Sequence, residues 1–167
     1  HICFAYDDIV YSYGNYDSDS FHLNQTIGDG IFFTVPLEKY IPNMISTENN
    51  SIFEYGIYTT PKQNEMIEKE DGYDRFSEYE MDYPSRLHYR TGAKLYKVKS
   101  GKFHIYWALG DNCASFTDLV LGTLGADVLS IRGIISPGTY LDWLQKEYLK
   151  KNSPIVFRRI YKEWDSE

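Results

Sequence analysis

The stretch HICFAYDDIVYSYG, residues 1–14, decides how the rest of the chain is read. Two runs rich in β-branched and aromatic residues, HICFAY and IVYSY, flank Asp7-Asp8, a pair with turn chemistry, and the pattern predicts a β-hairpin. A two-residue turn pairs His1 with Gly14 and sets Ser12 diagonally beside His1 on the same face. A three-residue turn instead brings Tyr13 or Asp17 to His1. The register of this hairpin therefore selects the side chains that accompany the first histidine.

Gly14 to Gly30 is polar and reads as a surface loop, and Ile31–Val35 as a short strand stopped by Pro36. Leu37–Ile41 reads as one or two helical turns ended by Pro42, with loop from Asn43 to Ser51. Ile52–Thr59 alternates as a strand. Thr60-Pro61-Lys62-Gln63 then announces a helix, with Thr at the N-cap, Pro at the first helical position and Gln closing a capping box. That helix is expected to run to about Glu70, with a second piece to Tyr79, and Tyr83–Gly92 is expected to be irregular. Lys94–Val98 and Lys102–Trp107 read as a hairpin around Ser100-Gly101. Asn112–Leu124 reads as a helix stopped by Gly125. Pro137–Lys150 reads as another helix capped by Ser136, and Ile155–Tyr161 as a last strand. Strands and helices mix without βαβ alternation, so the expected class is α+β.

The 167 residues fit one domain spanning 1–167, with a helical excursion over 60–92. A composition of 43% hydrophobic and 25% charged residues is globular usage. The formal charge of −7 argues against a nucleic-acid binder, which needs a basic face to displace counterions. No apolar run approaches the ~20 residues of a membrane span. Two cysteines and four scattered histidines lack zinc-site spacing, so neither metal nor cofactor is expected. A disulfide between Cys3 and Cys113 is an option only in an oxidising compartment. Sixteen tyrosines suit half-wet surfaces that grip sugars, peptides or partner proteins.

The sharpest chemical feature is LGDNCASF, residues 109–116. A strand ends, a glycine turn follows, and Cys113 falls in the first turn of a helix. N–H groups there have no intrahelical partner and the helix dipole is positive, so a thiolate is favoured. The alternative is that Cys113 is a small buried hydrophobe. A cysteine nucleophile needs a base, and spacing alone does not choose among His1, His22, His88 and His104. His104 lies in KFHIYW and reads as a structural strand residue.

HICFAYDDIVYSYGNY resembles the opening hairpin of the permuted NlpC-type papain-like superfamily. GDGIFFTVPLEKYI resembles the strand and short helix that follow there, and GDNCASFTDLVLGTLG the helix bearing the nucleophile. The order agrees with the permuted arrangement, His strand before Cys helix. The resemblance implies a permuted papain-like fold, in which an antiparallel sheet packs against a helix carrying the cysteine at its N-terminus. It implies a Cys–His hydrolase or transferase acting on an amide or ester, with Cys113 as nucleophile and His1 as general base. Ser12 and Tyr13 are the candidate orienting residues. The Cys113 N–H is the oxyanion donor, helped from the second shell by Asn112 or Asp111.

The expected substrate is a peptide such as a peptidoglycan stem peptide, with an inhibitor or immunity protein as a further partner if the chain is an antibacterial amidase toxin. An acyltransferase or lipid hydrolase is an alternative, against which the acidic charge counts. The rival from another class is a non-enzymatic binding module, using Tyr55, Tyr58, Tyr73, Tyr79, Tyr83 and Tyr89. A first residue that serves as a base has to be held rigidly, although chain ends fray. The natural protein is therefore expected to carry a few residues before His1, ending in Gly, with an export segment upstream. A secreted or periplasmic location follows from that expectation.

Overall fold

The computed structural model describes residues 1–17, 22–70, 86–123 and 136–162. The first hairpin joins β1 (Phe4–Tyr6) to β2 (Ile9–Gly14) through a two-residue turn, with Tyr6 opposite Ile9 and Phe4 opposite Tyr11. Asp7 and Asp8 both take positive φ, 49° and 60°, the conformation of a type I′ turn whose twist matches the strands. β3 (Ile27–Asp29) follows, then β4 (Ile31–Pro36), α1 (Leu37–Ser46), β5 (Ile52–Ile57) and α2 (Pro61–Glu70). After these come α3 (Arg86–Thr91), β6 (Lys94–Lys97), β7 (Ile105–Trp107), α4 (Cys113–Thr123), α5 (Pro137–Tyr148) and β8 (Ile155–Tyr161). Strands β1, β2, β4 and β6 form, in that order, an antiparallel sheet; β3–β7 and β5–β8 are separate antiparallel pairs. The class is α+β.

Alternation along β2 and β4 gives the main sheet two apolar faces. Val10, Ile31, Phe33, Val35 and Leu95 pack with Tyr40 and Met44 of α1 on one side. Tyr11, Tyr13, Phe32, Tyr96 and Phe103 pack with Phe116 of α4 on the other. A third cluster, Tyr140, Leu144 and Ile155, joins α5 to β8. The start of the chain is tied to all three: Ile2 packs on the third cluster, Cys3 on the first and Phe4 on the second. All three are half-buried, so Ile2 and Phe4 each contribute less than the roughly 1.5–3 kcal/mol of a fully buried side chain. Ala5 adds nothing to the anchoring, because it is exposed.

Local signals place several elements as read from the sequence. Thr60 and Gln63 form the reciprocal cap of α2, with the Thr60 N–H donating to Gln63 Oε1 at 2.8 Å and the Gln63 N–H to Thr60 Oγ1 at 3.3 Å. Ser136 caps α5, with Pro137 first in the helix. Four readings are corrected. Pro42 lies inside α1 instead of ending it, because burial of Tyr40 and Asn43 outweighs one lost backbone bond. Residues 86–91 are helical rather than irregular. The Gly14–Gly30 segment contributes β3, and β6 and β7 do not pair with each other. β6 adds to β4, whereas β7 takes β3. Residues 71–79, where the second helical piece was expected, and Gly125 lie outside the described residues.

Gly30 is the point through which these strands are joined. Its N–H donates to His104 O at 3.0 Å and its carbonyl accepts from Val98 N at 2.9 Å. A Cβ at this position would collide with the Phe103 carbonyl and sit 2.7 Å from Tyr13 Oη. Tyr13 Oη in turn donates to that same carbonyl at 2.9 Å. Gly30→Ala is therefore expected to destabilise the chain by about 1–3 kcal/mol, read as a fall in the urea midpoint at unchanged m-value. A midpoint equal to that of the wild type would contradict the tight approach.

Candidate functional site

Ser12 and Tyr13, consecutive in β2, lie on opposite faces of the sheet, and the two-residue turn sets Ser12 on the side of His1. Ser12 is fully buried on the α1 side, and its Oγ lies 2.6 Å from His1 Nε2. Tyr13 points into the α4-side cluster, where its hydroxyl is bonded to Phe103 O and its ring packs on Phe103, Tyr106 and Phe116. Tyr13 is therefore a core residue rather than an orienting partner of His1. Asp17, the other alternative, is buried along a cleft of about 450 Å³ that also involves His22, Asp29 and Lys97.

A second hydroxyl shares the histidine. Tyr16 Oη lies 3.1 Å from His1 Nε2, and its ring meets the imidazole edge-on with centroids 6.1 Å apart. Burial pushes the Tyr16 hydroxyl well above the ordinary phenol range, partly offset by its hydrogen bond with Ser12. Tyr16 thus stays protonated. With Nε2 engaged, Nδ1 is the ring nitrogen left to exchange a proton. The other histidines serve elsewhere. His22 forms an isolated bridge with Ile27, His88 Nδ1 bonds Ala93 O at 2.8 Å, and His104 is exposed in a turn.

Cys113 is the first residue of α4 and is only 3% exposed. Asn112 is the N-cap: its Oδ1 accepts from Ala114 N at 2.9 Å and Ser115 N at 3.0 Å, and its Nδ2 donates to Ala108 O at 3.0 Å. Ser115 Oγ accepts from Asn112 N in return at 2.9 Å, a reciprocal cap. The Asn112 Oδ1 and one Nδ2 hydrogen are thus engaged at the helix start. Asp111 is not an oxyanion donor: its carboxylate faces Lys102 Nζ at 3.9 Å and its carbonyl accepts from Trp107 N. The capping bonds do not use the Cys113 N–H. Gly110 makes the elbow, because a Cβ there would collide with the Trp107 indole.

Besides burial, a negative charge on Cys113 would add to the raised proton affinity of Cys3, Tyr16 and Tyr40 on the α1 face and of Tyr106 on β7. Sequence reading missed Tyr16, Tyr40 and Tyr106. Strand pairing ends at Gly14, so register arithmetic had no means of placing Tyr16, two residues further on. Among the described residues no group of His, Cys, Asp and Glu could hold a metal ion, and no helix is long and apolar enough to cross a membrane. No family model, no curated protein and no solved structure matches the chain.

The two thiols differ in environment. Cys3 is packed beneath Tyr40, with its Sγ 3.9 Å from Tyr40 Oη, and burial pushes its thiol up to about 11. A raised folded-state pKa keeps the thiol protonated at neutral pH, and ionisation follows only as pH climbs towards that value. Iodoacetamide at pH 8 is therefore expected to leave Cys3 unmodified by mass spectrometry, with labelling growing as pH nears 11. Labelling at pH 8 at the rate of an exposed cysteine would contradict this burial.

Proposed function

We propose that the chain is a thiol hydrolase that cleaves an amide bond in a peptide, with a peptidoglycan stem peptide as the favoured substrate, on a permuted NlpC-type papain-like fold. The observation that carries the reading is the imidazole of His1 held by two hydroxyls, in a chain whose Cys113 opens a capped helix. The sequence resemblance supplies the substrate class.

In this reading His1 Nδ1 takes the proton of Cys113 Sγ, and the thiolate adds to the amide carbonyl, forming the S–C bond. The Cys113 N–H and the positive end of α4 stabilise the negative charge on the former carbonyl oxygen. The intermediate collapses with rupture of the C–N bond, and His1 returns its proton to the departing amine. Water, deprotonated by the same imidazole, then attacks the thioester, releasing the acid and restoring the thiol. Ser12 holds Nε2 throughout.

A second reading has two observations in its favour. With 3% exposure Cys113 fits a small core residue, and Tyr58 and Tyr89, 67% and 76% exposed, fit a binding module. Tyr73, Tyr79 and Tyr83, which that reading also uses, lie outside the described residues.

Peptidoglycan treated with the protein is expected to gain free amino groups, measured by dinitrophenylation, and Cys113→Ala and His1→Ala are each expected to abolish the gain while melting stays near wild type. Two variants that release amino groups as fast as the wild type would remove the Cys–His assignment. A well-folded wild type inactive on peptidoglycan and on a panel of peptide amides would favour the binding module.

A further inference from the structure

We infer that the open edge of β7 and the cleft beside it form a binding site for an extended peptide, with the alkylammonium side chain of a lysine-type residue held in the cleft. The inference goes beyond the hydrolase reading and does not depend on it.

The edge follows from the hydrogen bonds of the β3–β7 ribbon. The Gly30 N–H donates to His104 O at 3.0 Å and the Ala108 N–H to Thr26 O at 2.9 Å, so the His104 carbonyl and the Ala108 N–H point towards β3. Backbone polar groups alternate in an antiparallel pair, and Ile105 and Trp107 therefore turn theirs away from β3. On that outer side Trp107 is occupied: its N–H donates to Asp111 O and its carbonyl accepts from Gly110 N. Ile105 has no such bond among the described residues. An open strand edge is a template for one more strand, and extended peptides are bound in this way.

The cleft gives the peptide its chemistry. Ile27, Asp29, Ile105 and Trp107 share the outer face of the ribbon, while Tyr106 packs inward on Tyr13. Ile105 and Trp107 are each 48% exposed. Ile27 and Ile105 form apolar walls of the cleft of about 450 Å³, whose lining also holds His22 and three charged side chains, Asp17, Asp29 and Lys97. Two of the three are negative, and the positive one, Lys97, forms an ion pair with Asp29. Apolar walls beside carboxylates in excess complement an aliphatic stem that ends in a positive charge. A side chain paired with Ile105 starts about 5 Å from it on the same face, and the stem of a lysine carries the ammonium across Ile105 to that lining. An anionic side chain would meet the carboxylates there, with Lys97 already held by Asp29.

The acetylated and amidated peptides Val-Lys-Val, Val-norleucine-Val and Val-Glu-Val test the site, because norleucine keeps the stem of lysine without its charge. In titrations of the ¹⁵N-labelled protein, the lysine peptide is expected to saturate with shifts at the Ile105 and Gly28 amides. The norleucine peptide is expected to bind about tenfold more weakly, as for one lost charge-assisted hydrogen bond, and the glutamate peptide weakest of the three. Asp17→Asn is expected to reduce the preference for lysine over norleucine. Ile105→Lys sets a tethered ammonium at the cleft wall and is expected to abolish binding of the lysine peptide; at an exposed position, it also covers the case in which Asp17→Asn does not fold. Ile105→Pro removes the outward N–H and is expected to weaken the lysine and norleucine peptides alike. Equal binding of these two peptides, a preference for glutamate, an absence of saturable binding, or unchanged affinity in both Ile105 variants would overturn the inference. A protein that binds the lysine peptide and hydrolyses nothing would uphold it and reject the hydrolase reading alone. One that cleaves peptidoglycan without any preference for the lysine peptide would do the reverse.

Discussion

The tight Asp7-Asp8 turn is the constraint on which the rest depends. Two left-handed residues fix the β1–β2 register, and a slip of one residue would exchange the faces of Phe4 and Cys3 against a β2 held in place by β4. Ile2, Cys3 and Phe4 each enter a different apolar cluster, so the slip would empty places in all three at once. That redundancy holds the first residue still. His1 itself is exposed, yet its neighbours are anchored in three directions and its ring is tied to Ser12 and Tyr16.

The imidazole is held by neutral hydroxyls, and this has an energetic consequence. Hydrogen bonds to charged groups contribute about 1.5–3 kcal/mol, against about 1 kcal/mol between neutral partners. When His1 is protonated its Nε2–H becomes a charged donor, so the bond to Ser12 strengthens as the proton arrives. Support is thereby weighted towards the protonated imidazole. At the other end, the reciprocal Asn112–Ser115 cap satisfies the second and third helical N–H groups of α4, and the N–H of Cys113 stays outside that network.

Legibility followed the range of the interactions. The turn, the Thr60 and Ser136 caps and the helix opening at Cys113 are set by residues within a few positions of one another, and each could be read directly. The proximity of Ser12 to His1 followed from strand arithmetic once a two-residue turn was assumed. What escaped was set at long range: the continuation of α1 through Pro42, the pairing of β3 with β7, and the return of Tyr16 onto His1 beyond the last paired residue. The capping role of Asn112 also depends on the backbone around it, because its residue type suits an oxyanion donor and a helix cap equally. Tyr13 was ambiguous between core and site until the register assigned its face.

The central claim is that Cys113 is activated by His1, and reaction with a peptide chloromethyl ketone at neutral pH tests it most directly. In this reaction the sulfur displaces chloride, and intact-mass and peptide mapping locate the adduct. The account predicts a single adduct on Cys113, none on Cys3, and loss of labelling in a folded His1→Ala variant. A Cys113 that resists the reagent in the native protein, or that reacts equally fast without His1, would contradict it.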